Sequence, residues 1–154
     1  MQYSKPYLTL YDHEGHDVVR SRDEHSPSDG PRVNPSAAGL HAHFTLMCDD
    51  VRFEAGNRFS LMGVFHSLAA SQLPLAMLKF AVITYWHGQG TANTEVRILS
   101  PDRSQIIMAS QAAPIDLSAE GFTYNLNFFI NVVFQEEGTY WVQTLLDSEV
   151  VGEV

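Results

Sequence analysis

The chain has 154 residues, 45% of them hydrophobic and 18% charged, with a formal net charge of −9. That length and apolar share suit one globular domain with a real core, and exclude a chain disordered throughout. The nine basic residues form no cluster, so neither nucleic acid nor an anionic membrane is an expected partner.

One cysteine, Cys48, excludes an internal disulfide and a thiolate metal set. The N-terminal stretch has no apolar run resembling a secretory signal, and no window reaches the length of a membrane span. A cytoplasmic protein is expected.

Residues 1–39 differ in kind from the remainder of the chain. Tyr7 to Tyr11 reads as a short strand, but Asp12 to Gly39 is Ser, Asp, His, Arg, Gly and Pro with little to bury. Such a stretch does not offset its own ordering entropy, so a flexible leader is expected, with the domain spanning 40–154. His43 to Phe65 then reads as a hairpin of two apolar strands. Phe44, Leu46 and Cys48 share one side of the first, and Ala55-Gly56-Asn57-Arg58 supplies the corner. Pro74 argues against a helix from Leu68 to Leu78. Leu78 to Trp86 is β-branched and aromatic, a buried strand that His87-Gly88-Gln89-Gly90 should end in a loop.

Thr94 to Leu99 and Gln105 to Ser110 form the next strand pair, around a type I turn at Ser100-Pro101-Asp102-Arg103. Ala112 to Gly121 reads as a connection. The clearest periodicity lies beyond it: Phe122, Tyr124, Leu126, Phe128, Ile130, Val132 and Phe134 recur at every second residue, which predicts one long strand with an apolar face. After Gln135 to Gly138, Thr139 to Leu145 should pair back on it. Asp147-Ser148 makes the last turn before Glu149 to Val154. About eight strands with turns at this spacing predict an all-β, two-sheet antiparallel β-sandwich, immunoglobulin-like or jelly-roll-like. Burying four or five side chains of the Phe122-to-Phe134 face would contribute on the order of 10 kcal/mol before entropy. On that reading Phe128→Asp abolishes folding.

Three constellations are candidates for function. Asp49, Asp50, Arg52 and Glu54 gather carboxylates at the hairpin corner, the arrangement that calcium binding or acid–base hydrolysis would need. The simpler reading is that they accept bonds from backbone N–H groups, with Arg52 as a counter-ion. Trp86 and Tyr140, with Asn125, Asn127 and Asn131, would suit a sugar or small-molecule groove if the aromatics were exposed; core and ordinary sheet surface are the plainer roles. A four-residue turn would put Trp141 on the Phe134 face and Tyr140 on the Asn face. His41-Ala42-His43 and the His13/His16 pair lack the third and fourth ligands that zinc requires. Cys48, alternating with Phe44 and Leu46, points into the core as a small hydrophobe. No nucleophile elbow, P-loop or zincin motif occurs. No catalytic residue, metal or cofactor is therefore assigned.

The segment CDDVRFEAGNRFSLMGVF resembles a family of small bacterial proteins of unknown function with the pattern C-D-D-hydrophobic-R-x-E, a Gly-rich turn and S-L-x-G-hydrophobic. The residues that carry it are Cys48, Asp49, Asp50, Arg52, Glu54, Ser60, Leu61 and Gly63, and the similarity runs from about Ala42 to Glu153. It implies an all-β fold and cytoplasmic placement, and brings no activity. The leading expectation is a non-enzymatic module that binds a protein partner or assembles with itself. A small-molecule or carbohydrate-binding domain comes next, then a hydrolase or metal-dependent enzyme using Asp49, Asp50 and Glu54.

Overall fold

A computed structural model describes residues 8–11 and 39–154. Its strands are β1 (Leu8–Tyr11), β2 (Leu40–Glu54), β3 (Arg58–Phe65), β4 (Ser67–Ala69), β5 (Leu75–Leu99), β6 (Ile106–Ala109), β7 (Ala113–Phe134), β8 (Thr139–Leu146) and β9 (Glu149–Glu153). No helix occurs among the described residues. The short strand expected near the N-terminus is β1, parallel to β4 and antiparallel to β8. The rest of the expected leader, apart from Gly39, lies outside the described residues.

The fold turns on β5. From Leu75 it pairs with β7, from Ala81 to Gly88 it lies between β2 and β7, and from Thr94 to Leu99 it pairs with β8 and, at its end, β6. The sequence reads His87 to Gly90 as a loop, but the chain stays extended there with a register shift between Gly88 and Gly90. Both glycines hold positive φ, 131° and 135°. A Cβ on Gly88 would collide with the Gly39 carbonyl oxygen. Glycine thus lets a strand change neighbours without ending. The expected connection Ala112 to Gly121 is likewise strand from Ala113 on, the first part of β7. All nine strands consequently join one antiparallel sheet, apart from the parallel β1–β4 contact, and not the two separate sheets expected.

That sheet curls strongly enough to bring β2 against β8. The Thr45 hydroxyl of β2 lies 3.4 Å from that of Thr144 on β8, and 3.2 Å from that of Thr84 on β5. These buried threonines divide the interior into two apolar clusters. One gathers Met47, Phe80, Val96, Phe129, Phe134 and Tyr140 among others; the second centres on Leu40, Trp86, Ala92, Ile115 and Leu146. Paired hydroxyls keep this layer from being an uncompensated polar burial.

β8 does not pair back on β7, as the sequence suggests. It crosses to the second half of β5 and to β9. Tyr140 therefore joins the Phe134 face, with ring centroids 4.8 Å apart, and Trp141 does not. Trp141 instead donates its indole N–H to the Pro101 carbonyl at 3.2 Å and carries the Arg103 guanidinium over its ring. The turns predicted from local chemistry are present. Gly56 and Asn57 hold φ of 78° and 54°, and Asp147 and Ser148 hold 47° and 73°, the paired positive values of a tight hairpin. The Arg103 N–H closes its turn onto the Ser100 carbonyl at 2.9 Å.

The periodicity of β7 does not have the meaning read from it. Phe129 is 2% exposed and Phe128 44%, and Phe122, Tyr124 and Ile130 are exposed as well. Val132 and Phe134 are buried. The alternation slips where Asn131 adopts a φ of 55° opposite Leu78, a ladder position without a regular pair. Leu78 turns outward with it and is 77% exposed. One face of β7 thus serves the core after Asn131 and the outside before it. Phe128→Asp is then no core substitution, and the expectation that it abolishes folding does not hold.

Candidate functional site

The outward side of the sheet where β2, β5 and β7 run together is built from direct cross-strand partners. Phe44 faces Tyr85, Leu46 faces Ile83 and Cys48 faces Ala81; across β5, Tyr85, Ile83 and Ala81 face Tyr124, Leu126 and Phe128. Residues opposite one another in a ladder share a face, so these apolar side chains lie side by side. The Tyr85 ring stacks on Phe44 at 5.1 Å and on Phe122 at 5.6 Å, and His87 lies 4.6 Å from Phe122. Lys79 reaches over Phe128, 5.4 Å from its centroid.

Part of this face is roofed by the β2–β3 hairpin. Cys48 and Val51 belong to one cluster with Ala81 and Ile83, against which Phe59, Leu61 and Leu126 pack. Residues three apart on a strand share a face only if the alternation slips between them. It does so at Asp49 and Gly63, which face each other without a regular pair; Gly63 has a φ of 61°. A Cβ on Gly63 would collide with the Asp49 carboxylate. The Phe59 ring then meets Tyr124 at 4.6 Å. Burial, followed by the charges of Asp49 and Asp50, pushes the Cys48 thiol up, which makes it a poor nucleophile.

The carboxylates read as a corner cluster are spread along β2. Asp50 takes a bond from Lys79 Nζ at 2.6 Å and another from the Val51 N–H at 2.9 Å. Those partners, Lys79 first, hold its carboxyl below the usual range. Glu54 accepts from the Ser60 hydroxyl and lies opposite Arg58. Arg52, exposed, lies opposite Ser60. Asp50 and Glu54 are thus each engaged locally. No group of three or more His, Cys, Asp or Glu placed to hold a metal occurs among the described residues.

The aromatic candidates are core. Trp86 is fully buried between Leu40, Ala92, Ile115 and Leu146. Tyr140 is buried too, its hydroxyl donating to the Glu136 carbonyl at 2.9 Å and accepting from the Glu136 N–H at 3.3 Å. Burial pushes its phenol up. Neither ring is available to stack on a sugar. Asn125 and Asn127 lie opposite Thr84 and Val82, on the inner side, while Asn131 sits exposed at the slip in β7. The Asn125 Oδ1 and Asn127 Nδ2 atoms are buried without a protein partner, as are Trp86 Nε1 and Thr94 Oγ1.

An open recess of about 330 Å³ lies at the His87 end of the aromatic row, lined by Gly39, His41, His87, Gly88, Gln89 and Glu120. His41 and His87 are direct ladder partners, and Glu120 stands 3.7 Å from His87 Nε2. The sequence shows apolar residues on both sides of several strands, more than one core fully covers, and the leading expectation draws on that; which residues line this face was not identified.

No helix of the described residues is long and apolar enough to cross a membrane. No curated protein and no solved structure matches the chain. Residues 43–154 match a family of unknown function, DUF6941, and the chain belongs to that family.

Proposed function

We propose that this chain is a non-enzymatic, cytoplasmic bacterial module that works by assembling with a second copy of itself. Its curled sheet acts as a two-layer body, in the manner of a β-sandwich, that presents one outer face for contact. The observation carrying this reading is the row of Phe44, Tyr85 and Phe122, continued by Tyr124, Phe128 and Ile130. All of these but Tyr85 are large hydrophobics left exposed. Contiguous apolar surface of this kind is costly to leave in water and marks interaction sites. The dispersed carboxylates and the protonated, buried Cys48 give hydrolysis little support. Light scattering coupled to size-exclusion chromatography, over a range of loading concentrations, tests the reading. A mass of two copies that falls toward one on dilution supports it; one copy at every concentration contradicts it.

A further inference from the structure

We infer that His41, His87 and Glu120 hold a divalent transition-metal ion, zinc being the best fit, in the recess that all three line. The site stands independently of how the chain associates. The sequence offers His41-Ala42-His43 without further ligands, and the fold brings two from far along the chain. His87 on β5 is the direct ladder partner of His41 on β2. Opposed residues of an antiparallel pair hold their Cβ atoms about 4.5–5.5 Å apart on one face, close enough for two imidazoles to share an ion. Glu120 arrives from β7 through the irregularity opposite Gln89. Gly88 pairs with Gly121 and Gly90 with Leu117, so Ser118, Ala119 and Glu120 stand across from a single residue. The Gln89 side-chain amide ties this bulge down by donating to the Ser118 carbonyl at 2.9 Å. Bulges re-aim side chains, and this one leaves the Glu120 carboxylate beside His87.

The spacing suits a shared ion better than a direct bond. Glu120 Oε1 and His87 Nε2 are 3.7 Å apart, too far for a hydrogen bond. Two ligand atoms bound to one tetrahedral zinc ion stand about 3.3 Å from each other. With the side chains as they stand, the three groups do not converge on one point. His41 and Glu120 are exposed and His87 is half-buried, so turning surface rotamers brings them together. Two imidazole nitrogens and one carboxylate oxygen are the donors of zinc sites that keep a fourth position for water, whereas calcium and magnesium take oxygen ligands. The open recess supplies that fourth position. A net charge of −9 favours the approach of a cation. An ion held here cross-links β2, β5 and β7 just where β5 changes neighbours.

Thermal unfolding of the chelator-treated full chain, followed by circular dichroism with zinc chloride or magnesium chloride added, tests this beside calorimetric titration of zinc. Zinc is expected to raise the unfolding midpoint and magnesium to leave it unchanged, because an ion that binds only the folded ladder stabilises it. His41→Gln, His87→Gln and Glu120→Gln should each weaken zinc binding about tenfold or more and shrink the rise. His66→Gln, exposed between β3 and β4, should change neither, which separates the site from stray imidazole binding. Should His87→Gln fail to fold, His41→Gln and Glu120→Gln, at exposed positions, decide. A midpoint that zinc does not raise, or a rise left whole in any of the three variants, overturns the site.

Discussion

The inner and outer faces of the sheet around β5 are made of similar residues, yet only the inner one is sealed. Phe80, Phe129 and Phe134 are shut between β5, β7 and β8, with Phe80 stacked on Phe129 at 5.5 Å. Phe44, Phe122 and Phe128 pack just as closely against their neighbours but keep much of their surface in water. What separates the faces is topology. The curl of β5 folds β8 over the inner face, whereas among the described residues the outer face is covered in part by the β2–β3 hairpin, through Val51, Phe59 and Leu61. Residue type therefore says that a face is apolar, and chain path decides whether it holds the fold or is left in water.

The sharpest way to break this comparison uses adjacent residues. Phe129→Ala opens a cavity in the sealed core and should cost about 3–5 kcal/mol, while Phe128→Ala should cost under about 1 kcal/mol; urea unfolding measures both. Equal losses would mean that the faces are not distinct. A smaller effect probes the roof of the outer face. Gly63→Ala, at positive φ and pressed on Asp49, should lose about 1–2 kcal/mol. Adding Asp49→Ala should restore part of that by removing the clash, and a non-additive cycle is the readout.

Tyr140→Phe tests the anchor at the end of the inner face. Losing both bonds to the Glu136 backbone should cost about 1 kcal/mol, seen as a lower unfolding midpoint with unchanged circular dichroism. For Cys48 the expectation is silence toward a thiol reagent in the native protein and stoichiometric reaction after denaturation; rapid native labelling would place it outside the roofed cluster.

The least effect is expected away from both faces. Bonds from the Ser100 hydroxyl and from the Ser104 N–H and hydroxyl hold the Asp102 carboxyl down at about 2. A depressed carboxylate stabilises fully above its ordinary value near 4 and loses this as pH falls through about 2. The gap in unfolding midpoint between wild type and Asp102→Asn should therefore narrow as the pH is lowered through that window. A gap that widens would reverse the sign.

Local chemistry made the turns legible. Gly56-Asn57, Ser100 to Arg103 and Asp147-Ser148 each combine residues that tolerate or demand a specific φ. Most strands were legible from their alternation, but the first part of β7, read as a connection, was not. Face assignment was not, because a period of two is blind to a single slip, and the slips at Asp49/Gly63 and Leu78/Asn131 carry only a Gly or an Asn as their mark. The glycines at 88 and 90 misled in the opposite direction, since a residue that permits a break also permits a bent strand to continue. Trp86 and Tyr140 looked available for a ligand because sugar-binding β-sandwiches expose aromatics for stacking, although one member of each adjacent pair must face the core. Which of each pair faced inward depended on β8 crossing to β5, a contact far apart in sequence.

The most direct test of the claim that β7's outward side serves contact and not folding is the molar mass of Phe128→Lys beside wild type, under native conditions and with circular dichroism on the same samples. The account predicts a two-copy wild type and a one-copy variant with the same spectrum. Equal masses, or a variant that has lost its strand signal, would contradict it.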